Sequence, residues 1–278
     1  MAIEFRSVTK RFGDGPAAVD DVSLEMPARK TTVLVGSSGC GKTTLLRMIN
    51  RLIEPTSGDI MIDGESIRSR DAVQLRRSIG YVLQNAGLLP HYTVADNIAT
   101  VPVLTGQTRA TARRRAMELM EVVGLDTAFA DRYPAQLSGG QQQRVGVARA
   151  LAADPNILLM DEPFGAVDPI VRKELQAEVI RLQRELDKTI VFVTHDIDEA
   201  FLLGDQVVIL QKGARIAQHG TPSEIIEAPA DEFVASFIGA DRGARAFHAK
   251  QTDRGTVLVD GSGRTQGVLL PGSPEDEG

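Results

Sequence analysis

The chain has 278 residues, of which 42% are hydrophobic and 24% are charged, as in an ordinary soluble protein with one large or two modest domains. The formal net charge of −6 leaves no basic excess to neutralise phosphates, so we expect no nucleic-acid partner. A single cysteine excludes an intramolecular disulfide and a cysteine-based zinc cluster, which favours a reducing cytoplasm. No apolar run reaches the ~18–20 residues of a membrane span, and the N-terminus lacks the apolar core of a signal peptide.

The first thirty residues predict short strands. Apolar residues alternate near 3–8 and again over 22–26, and residues 13–16 predict a turn between these strands. Phe12 stands just before this turn. On its own the ring indicates a core or turn-packing residue, and a second interpretation, a ring stacked on adenine, depends on the motifs that follow.

A glycine-rich loop follows the next predicted strand. The β-branched run at 31–35 predicts a buried strand, and apolar residues at helical spacing then predict a helix that continues until Pro55. The loop between them fits the pattern G-x-x-x-x-G-K-[ST], which is typical of a phosphate-binding loop in this strand–loop–helix context. Its residues are Gly36, Ser37, Ser38, Gly39, Cys40, Gly41, Lys42, Thr43 and Thr44.

The residue types in this loop suit phosphate chemistry. Glycines let backbone N–H groups converge on phosphate oxygens without a Cβ clash, and the helix N-terminus adds partial positive charge. Lys42 supplies a point charge for the β- and γ-phosphates, and Thr43 supplies a hydroxyl for Mg²⁺. The alternative interpretation is a flexible Gly/Ser turn.

The middle of the chain alternates predicted strands and helices. Strands are predicted at 58–64 and 79–83, where Gln84 follows at once, and apolar residues over 93–123 share a helical face. The basic triplet 113–115 lies largely on the other side, which indicates a solvated helix face rather than a nucleic-acid patch.

The segment Leu137-Ser-Gly-Gly-Gln precedes another predicted helix, which ends near Pro155. Two glycines before a helix make its N-terminus receptive to anions, and Ser138 caps the same helix. The motif alone therefore fits a capped helix start as well as a binding site.

Two predicted buried strands end in polar residues. The apolar strand 157–160 runs into Asp161 and Glu162, and the strand 190–193 is followed by His195. Carboxylates at the end of a buried strand are costly unless something binds them, and P-loop enzymes use this position for a metal-holding Asp and an adjacent base. In an open α/β sheet the strand ends border the ligand crevice.

In this order, the motifs resemble the nucleotide-binding subunit of ABC transporters over residues 1–240. The resemblance implies an α/β P-loop NTPase (RecA-like) core with an antiparallel β subdomain and an α-helical subdomain inserted at about 87–153. It implies ATP and Mg²⁺ as cofactors. The LSGGQ segment is the more specific signature, since other P-loop enzymes lack it.

The resemblance also implies roles for the nucleotide-binding residues. Residues 36–44 match Walker A and bind ATP, while Phe12 matches the aromatic residue that stacks on adenine. Asp161 ends the Walker B strand and holds Mg²⁺, with Thr43 and Gln84 as further metal contacts.

Three residues carry catalytic roles by resemblance. Glu162 matches the general base, His195 matches the switch histidine at the γ-phosphate, and Gln84 also touches the attacking water. A second set would act on the ATP of a partner subunit in a head-to-tail dimer: Ser138, Gly139, Gly140, Gln141 and Asp168.

The implied setting is a membrane importer. The subunit would lie peripherally at the cytoplasmic face of a bacterial membrane, dimerise, bind transmembrane permease subunits and depend indirectly on an extracytoplasmic solute-binding protein. Residues 81–85, 87–91 and 97–102 resemble the importers of glycine betaine, choline and proline betaine. Importers of a polyamine, an amino acid or an oxyanion, a soluble ABC ATPase outside transport, and a non-hydrolysing nucleotide-binding module are the alternatives.

The resemblance to the ABC ATPase domain ends near residue 240 and leaves residues 241–278 as a short C-terminal tail. Many related subunits carry a pair of CBS domains after the ATPase domain, and residues 256–261 with 267–270 resemble one strand–turn–strand piece of such a domain. Residues 272–278 are predicted to be disordered. The piece is too small for a regulatory ligand site.

Overall fold

A computed structural model describes residues 1–165, 167–239, 247–252, 255–260 and 265–268. The chain forms two compact units, Met1–Thr221 and Pro222–Gly278. None of the helices in these described segments combines the length and the apolar character that crossing a membrane requires. The predicted disordered end at 272–278 lies outside the described residues.

An antiparallel sheet opens the first unit. Its four strands stand in the order β2-β1-β4-β5. They are β1 (Ile3–Arg11), β2 (Ala17–Met26), β4 (Ser57–Ile62) and β5 (Glu65–Ser66). Inward-facing apolar residues alternate with exposed ones along these strands, which is why the sequence here shows a period of two.

A six-stranded sheet forms the centre of the first unit, in the order β10-β9-β3-β8-β7-β6. Five of its strands are parallel and β10 is an antiparallel edge strand. The strands are β3 (Thr31–Gly36), β6 (Ile79–Val82), β7 (Ile157–Asp161), β8 (Thr189–Thr194), β9 (Gln206–Gln211) and β10 (Arg215–Gly220). Strands β3, β7 and β8 are buried at every position, as parallel strands covered on both faces must be.

Seven helices connect these strands. They are α1 (Lys42–Ile49), α2 (Ala72–Ser78), α3 (Val94–Leu104), α4 (Arg109–Val122), α5 (Gly139–Leu151), α6 (Pro169–Leu186) and α7 (Ile197–Leu203). Short 3-10 turns lie at Ile67–Ser69, Thr127–Phe129, Pro134–Gln136 and Lys212–Ala214. Helices α3, α4 and α5 pack on one another. They follow β6 and precede β7 along the chain, where the helical insertion is predicted.

One contiguous core joins the two sheets. It contains the inward residues of β1, β2 and β4, the buried face of α1 and one face of the parallel sheet. Helix α1 and its preceding loop are therefore held between two layers, and the loop is placed at the edge of the parallel sheet.

Two predicted helices differ from the observed ones. The helix after the loop ends at Ile49 and not at Pro55, because Arg51 takes a left-handed φ of 57° and the N–H groups of Leu52 and Ile53 both donate to the Arg47 carbonyl. The helix predicted over 93–123 is two helices, α3 and α4, separated at Gly106 with a φ of 98°.

The second unit contains helices α8 (Pro222–Glu227) and α9 (Glu232–Phe237) and a three-stranded antiparallel sheet. The strands are β11 (Phe247–Thr252), β12 (Gly255–Asp260) and β13 (Thr265–Val268). Strands β12 and β13 fall where the strand–turn–strand piece was predicted, and residues 269–270 of that piece lie outside the described residues. The likeness to a CBS domain and the boundary near residue 240 stay predictions.

Candidate active site

Several of the predicted site residues lie at one edge of the parallel sheet. The glycine-rich loop follows β3, Gln84 follows β6, Asp161 and Glu162 end and follow β7, and His195 follows β8. These four strands are neighbours in the order β3-β8-β7-β6 and run parallel, so their carboxyl ends lie side by side. This is the crevice where open α/β sheets bind ligands.

The loop depends on glycine at two close approaches. A Cβ on Gly36 would lie 2.3 Å from the Leu210 carbonyl oxygen, and one on Gly41 would lie 2.5 Å from the Ala18 carbonyl oxygen. Gly41 also has a φ of 117° as the N-cap of α1. The first turn of α1 has no acidic residue, so its positive end is free to attract an anion.

Lys42 is buried at the start of α1, with only 4% of its surface exposed. Its Nζ donates to the carbonyl oxygens of Gly36 at 2.7 Å and Ser37 at 3.0 Å. No carboxylate lies within ion-pair distance of Lys42 among the described residues, so its amino group is available to an anion in the loop. Cys40, beside it, is buried.

Thr43 and Asp161 face each other across the loop. The Thr43 Oγ1 donates to Asp161 Oδ1 at 2.8 Å, which joins α1 to the end of β7. A hydroxyl and a carboxylate are the oxygen donors that Mg²⁺ prefers. Among the described residues there is no group of three or more His, Cys, Asp or Glu side chains that could hold a metal alone.

The sequence did not indicate that Arg47 and Tyr81 belong to this site. Arg47 Nη2 and the Tyr81 hydroxyl donate to Asp161 Oδ2 at 3.4 and 3.2 Å, and Arg47 Nε donates to the Tyr81 oxygen at 3.4 Å. Burial raises the pKa of Tyr81 to about 12, so the phenol keeps the proton that it donates. The one available signal was that Arg47 follows Thr43 by one helical turn.

Glu162 and His195 form a pair at the mouth of the site. The His195 Nδ1 lies 3.0 Å from Glu162 Oε2, and the imidazole side chain is 59% exposed. Glu162 has a left-handed φ of 44°, while its backbone N–H donates to the Val193 carbonyl at 3.0 Å. Non-glycine residues in this region are strained, and such strain is typical of functional positions.

Gln84 is exposed in the turn after β6. Its Nε2 would lie 3.3 Å from a Cβ placed on Gly165, so the amide lies against the loop that follows Glu162. The structure therefore brings Gln84 next to the loop that follows Glu162.

The LSGGQ segment begins α5 as a capping box. The Ser138 Oγ accepts from the Gln141 N–H at 3.3 Å, and Gln141 Oε1 accepts from the Ser138 N–H at 2.9 Å. Ser138 and Gly139 are exposed, whereas Gly140 is buried against α6, where an added Cβ would meet Val171. The N-terminus of this helix is thus open and free of acidic residues.

Two further predicted residues are exposed. Phe12 has 55% of its surface exposed, which rules out the core interpretation, and Lys10 Nζ lies 5.0 Å from its ring centroid. Asp168 caps α6 by accepting from the N–H groups of Ile170 and Val171, both at 3.1 Å. Ala166, two positions before Asp168, lies outside the described residues.

Known proteins are similar to this chain in sequence. A sequence model described as "ABC transporter" matches residues 19–165. The osmoprotectant import ATP-binding protein OsmV of Salmonella typhimurium is 53% identical over 86% of this chain and 64% of its own length. The glycine betaine/carnitine/choline transport ATP-binding protein OpuCA of Bacillus subtilis is 53% identical over 86% of this chain and 63% of its own length.

A solved structure is similar to the fold. The ATP-binding cassette MJ0796, determined as a dimer in a post-hydrolysis state bound to ADP and Pi, has a TM-score of 0.72 and 33% identity, covering 79% of this chain and 98% of its own. The chain spans less than two thirds of the length of OsmV and OpuCA. The family match over more than half of the residues and the P-loop NTPase architecture together establish that the chain belongs to the ABC transporter family.

Proposed function

We propose that the chain is the ATP-hydrolysing subunit of a membrane ABC importer. The observation that carries this proposal is the meeting of the phosphate loop, Asp161, Glu162 and His195 at the ends of adjacent parallel strands. The Lys42 ammonium without a carboxylate partner, the N-terminus of α1 without acidic residues, and Glu162 with its left-handed backbone lie at this edge. This combination suits phosphoryl transfer to water.

Residues around the loop would bind MgATP. Lys42 and the N–H groups of residues 36–44 would hold the phosphates, and the exposed Phe12 ring would stack on adenine. The donor set of Thr43 and Asp161 fits Mg²⁺, and Gln84 would complete the protein side of the metal site. Three protein donors are too few for an all-protein cage, so the remaining donors would be phosphate oxygens and water, as is usual for Mg²⁺.

Glu162 would orient and deprotonate the attacking water. Its Oε2 contacts His195, whose exposed ring would lie close to the γ-phosphate, and Gln84 would approach the water from the neighbouring strand. Mg²⁺ would neutralise charge that develops on the phosphates. Hydrolysis would thus depend on three side chains from three different strand ends.

A second copy of the chain would complete each site. Ser138, Gly139, Gly140, Gln141 and Asp168 lie on α5 and at the start of α6, and the open N-terminus of α5 suits the γ-phosphate held by the other subunit. The dimer of MJ0796 with ADP and Pi supports this arrangement. ATP would close the dimer and hydrolysis would release it, a bistable switch driven by γ-phosphate contacts.

The membrane partner would dock on the helical segment. A groove of about 450 Å³ lies beside α3 and α4, and its lining includes the half-exposed Tyr92, Val103 and Leu104 together with Arg109 and Arg113. A segment of the permease would fill this groove at the cytoplasmic face of the membrane. The resemblance also implies an extracytoplasmic solute-binding protein, which would deliver the solute to the permease.

The solute would be a quaternary amine such as glycine betaine or choline. The names of OsmV and OpuCA, each 53% identical to this chain, support this class. An importer for a polyamine, an amino acid or an oxyanion is the second candidate, and a soluble ABC ATPase outside transport is the third. Only the transport assay separates the first two, because the solute would touch the permease and not this chain.

The ATPase is tested with Glu162→Gln and a matched control, Glu121→Gln, on an exposed face of α4. We expect Glu162→Gln to bind ATP while its turnover falls by about 10²–10⁴-fold, since a general base is lost, and an ATP-bound dimer to accumulate in size-exclusion chromatography. Glu121→Gln should behave as wild type. Undiminished turnover of Glu162→Gln would remove Glu162 from the reaction.

Transport is tested by solute uptake at high osmolarity in cells that lack the chain. Labelled glycine betaine, choline, proline, a polyamine and sulfate are supplied separately, and uptake is restored with wild type, Lys42→Ala or Leu104→Asp. We expect only wild type to restore betaine or choline uptake, while purified Leu104→Asp keeps its ATPase activity. Loss of a different solute would overturn the substrate class but not the ATPase.

A further inference from the structure

The two oxygens of Asp161 have different partners. Oδ1 accepts from Thr43 Oγ1 at 2.8 Å, on the side of the phosphate loop. Oδ2 accepts from Arg47 Nη2 at 3.4 Å and from the Tyr81 hydroxyl at 3.2 Å. The carboxylate is 8% exposed, so these contacts, and not bulk water, fix its rotation.

Arg47 and Tyr81 also contact each other. Arg47 Nε donates to the Tyr81 oxygen at 3.4 Å, which closes a triangle with Asp161 Oδ2. Arg47 follows Thr43 by one turn of α1, and Tyr81 pairs with Leu159, two residues before Asp161 on the same face of the sheet. Helix α1 and strands β6 and β7 are therefore joined at one carboxylate.

The geometry points to Arg47 and Tyr81 as positioning residues that turn Oδ1 of Asp161 toward Thr43 and the magnesium ion of a bound nucleotide. The inference deepens the proposed ATPase and rests on it. Neither side chain need touch the nucleotide or the metal. Groups that orient a metal-binding carboxylate in this way commonly change metal affinity by 10–100-fold when they are removed.

A purely structural role would have a different signature. The Arg47 side chain is 43% exposed, and an ion pair that reaches solvent contributes little to folding stability. If the pair were only structural, its removal would lower the melting temperature without altering the effect of Mg²⁺ on ATP binding. If the pair positions Asp161, its removal should change the magnesium dependence of ATP binding at a nearly constant melting temperature.

The variants separate orientation from charge. Tyr81→Phe removes one neutral donor and keeps the ring, while Tyr133→Phe is the matched control at an exposed tyrosine that lines neither the site nor the proposed docking groove. Arg47→Lys keeps the positive charge but replaces the planar fork, so a single ammonium cannot donate to both Tyr81 and Asp161 with the same geometry. The double variant tests whether the two residues act through one carboxylate.

The experiment measures the Kd of ATP for the full chain by titration calorimetry, with Mg²⁺ titrated in and, separately, with EDTA. We expect Tyr81→Phe and Arg47→Lys each to raise the Mg²⁺ concentration for half-maximal effect about tenfold, at an unchanged Kd in EDTA. The double variant should show less than the product of the two single effects. Tyr133→Phe should match wild type.

The outcomes distinguish this inference from the proposed function. If Mg²⁺ has no effect on ATP binding by the wild-type chain, the proposed function as a magnesium-dependent ATPase is wrong. If wild type depends on Mg²⁺ and both variants share its magnesium dependence, Arg47 and Tyr81 are not positioning residues. A lower melting temperature with unchanged magnesium dependence would also overturn the inference.

Discussion

Arg149 holds the backbone turn that follows Gln84. Its Nη1 and Nη2 donate to the carbonyl oxygens of Gly87 at 2.7 Å and Ala86 at 2.6 Å, so one guanidinium of α5 binds two consecutive carbonyls. Ala86 and Gly87 both have left-handed backbones, with φ of 53° and 57°, and Ala86 lacks the freedom of glycine. The turn therefore depends on a contact from outside its own segment.

The cost of removing Arg149 follows from these contacts. A hydrogen bond to a charged group contributes about 1.5–3 kcal/mol. Burial lowers the pKa of the Arg149 guanidinium, which means that part of this gain offsets the cost of burying the cation. Taking the lower end of the range, we expect Arg149→Ala to lose about 3 kcal/mol, and Arg149→Lys, which keeps one contact, about 1.5 kcal/mol.

Urea denaturation of the full chain measures this effect. At a slope near 3 kcal/mol/M, the expected loss for Arg149→Ala lowers the midpoint by about 1 M, and for Arg149→Lys by about half as much. Arg114→Ala, on the exposed face of α4, is the control and should change stability by less than about 0.5 kcal/mol. Equal midpoints for Arg149→Lys and wild type would refute the two-carbonyl argument.

Three further outcomes follow from the structure. The hydrogen bond from Lys188 holds the pKa of Asp154 below its usual value, so its contribution, below about 1 kcal/mol at this exposed site, is complete above about pH 4 and is lost as pH falls through the folded pKa. Asp154→Asn should therefore flatten that part of a stability–pH curve, and an unchanged acid limb would count against the pair. Gly80→Ala places a Cβ 2.5 Å from a carbonyl oxygen of α5 and should cost about 1–3 kcal/mol in thermal melts, whereas Gly15→Ala, with only an ordinary contact, should be nearly neutral. Phe192→Ala, in a fully buried position, should cost about 3–5 kcal/mol in the same melts, and a smaller loss would mean that the core collapses around it.

Much of the fold follows from local patterns. The alternating period of β1 and β2 and the continuous apolar runs of β3, β7 and β8 each predicted the element that the structure contains. The phosphate loop and the polar residues after β7 and β8 were also visible, because burial leaves few reasons for charge at the end of an apolar strand. Helix ends were less predictable, as the left-handed Arg51 and the break at Gly106 show.

The sequence by itself determined which chemistry the chain carries. A glycine-rich loop with Lys42 and Thr43, a carboxylate pair after an apolar strand and the LSGGQ segment are local arrangements whose residue types answer to phosphate binding. These motifs predicted the candidate site residues other than Arg47 and Tyr81. The spacing of these motifs along the chain did not predict the distances between their side chains in the folded protein.

Only the tertiary structure decided how these residues meet. The strand order β3-β8-β7-β6 places His195 beside Glu162, although 33 positions separate them, and the packing of α1 on the sheet brings Tyr81 and Arg47 to the same Asp161 oxygen. The physical reason is that parallel strand pairing and helix packing set contacts between distant segments, which no local periodicity records. The support around Asp161 and the Arg149 contact to the turn after Gln84 both arise at that level.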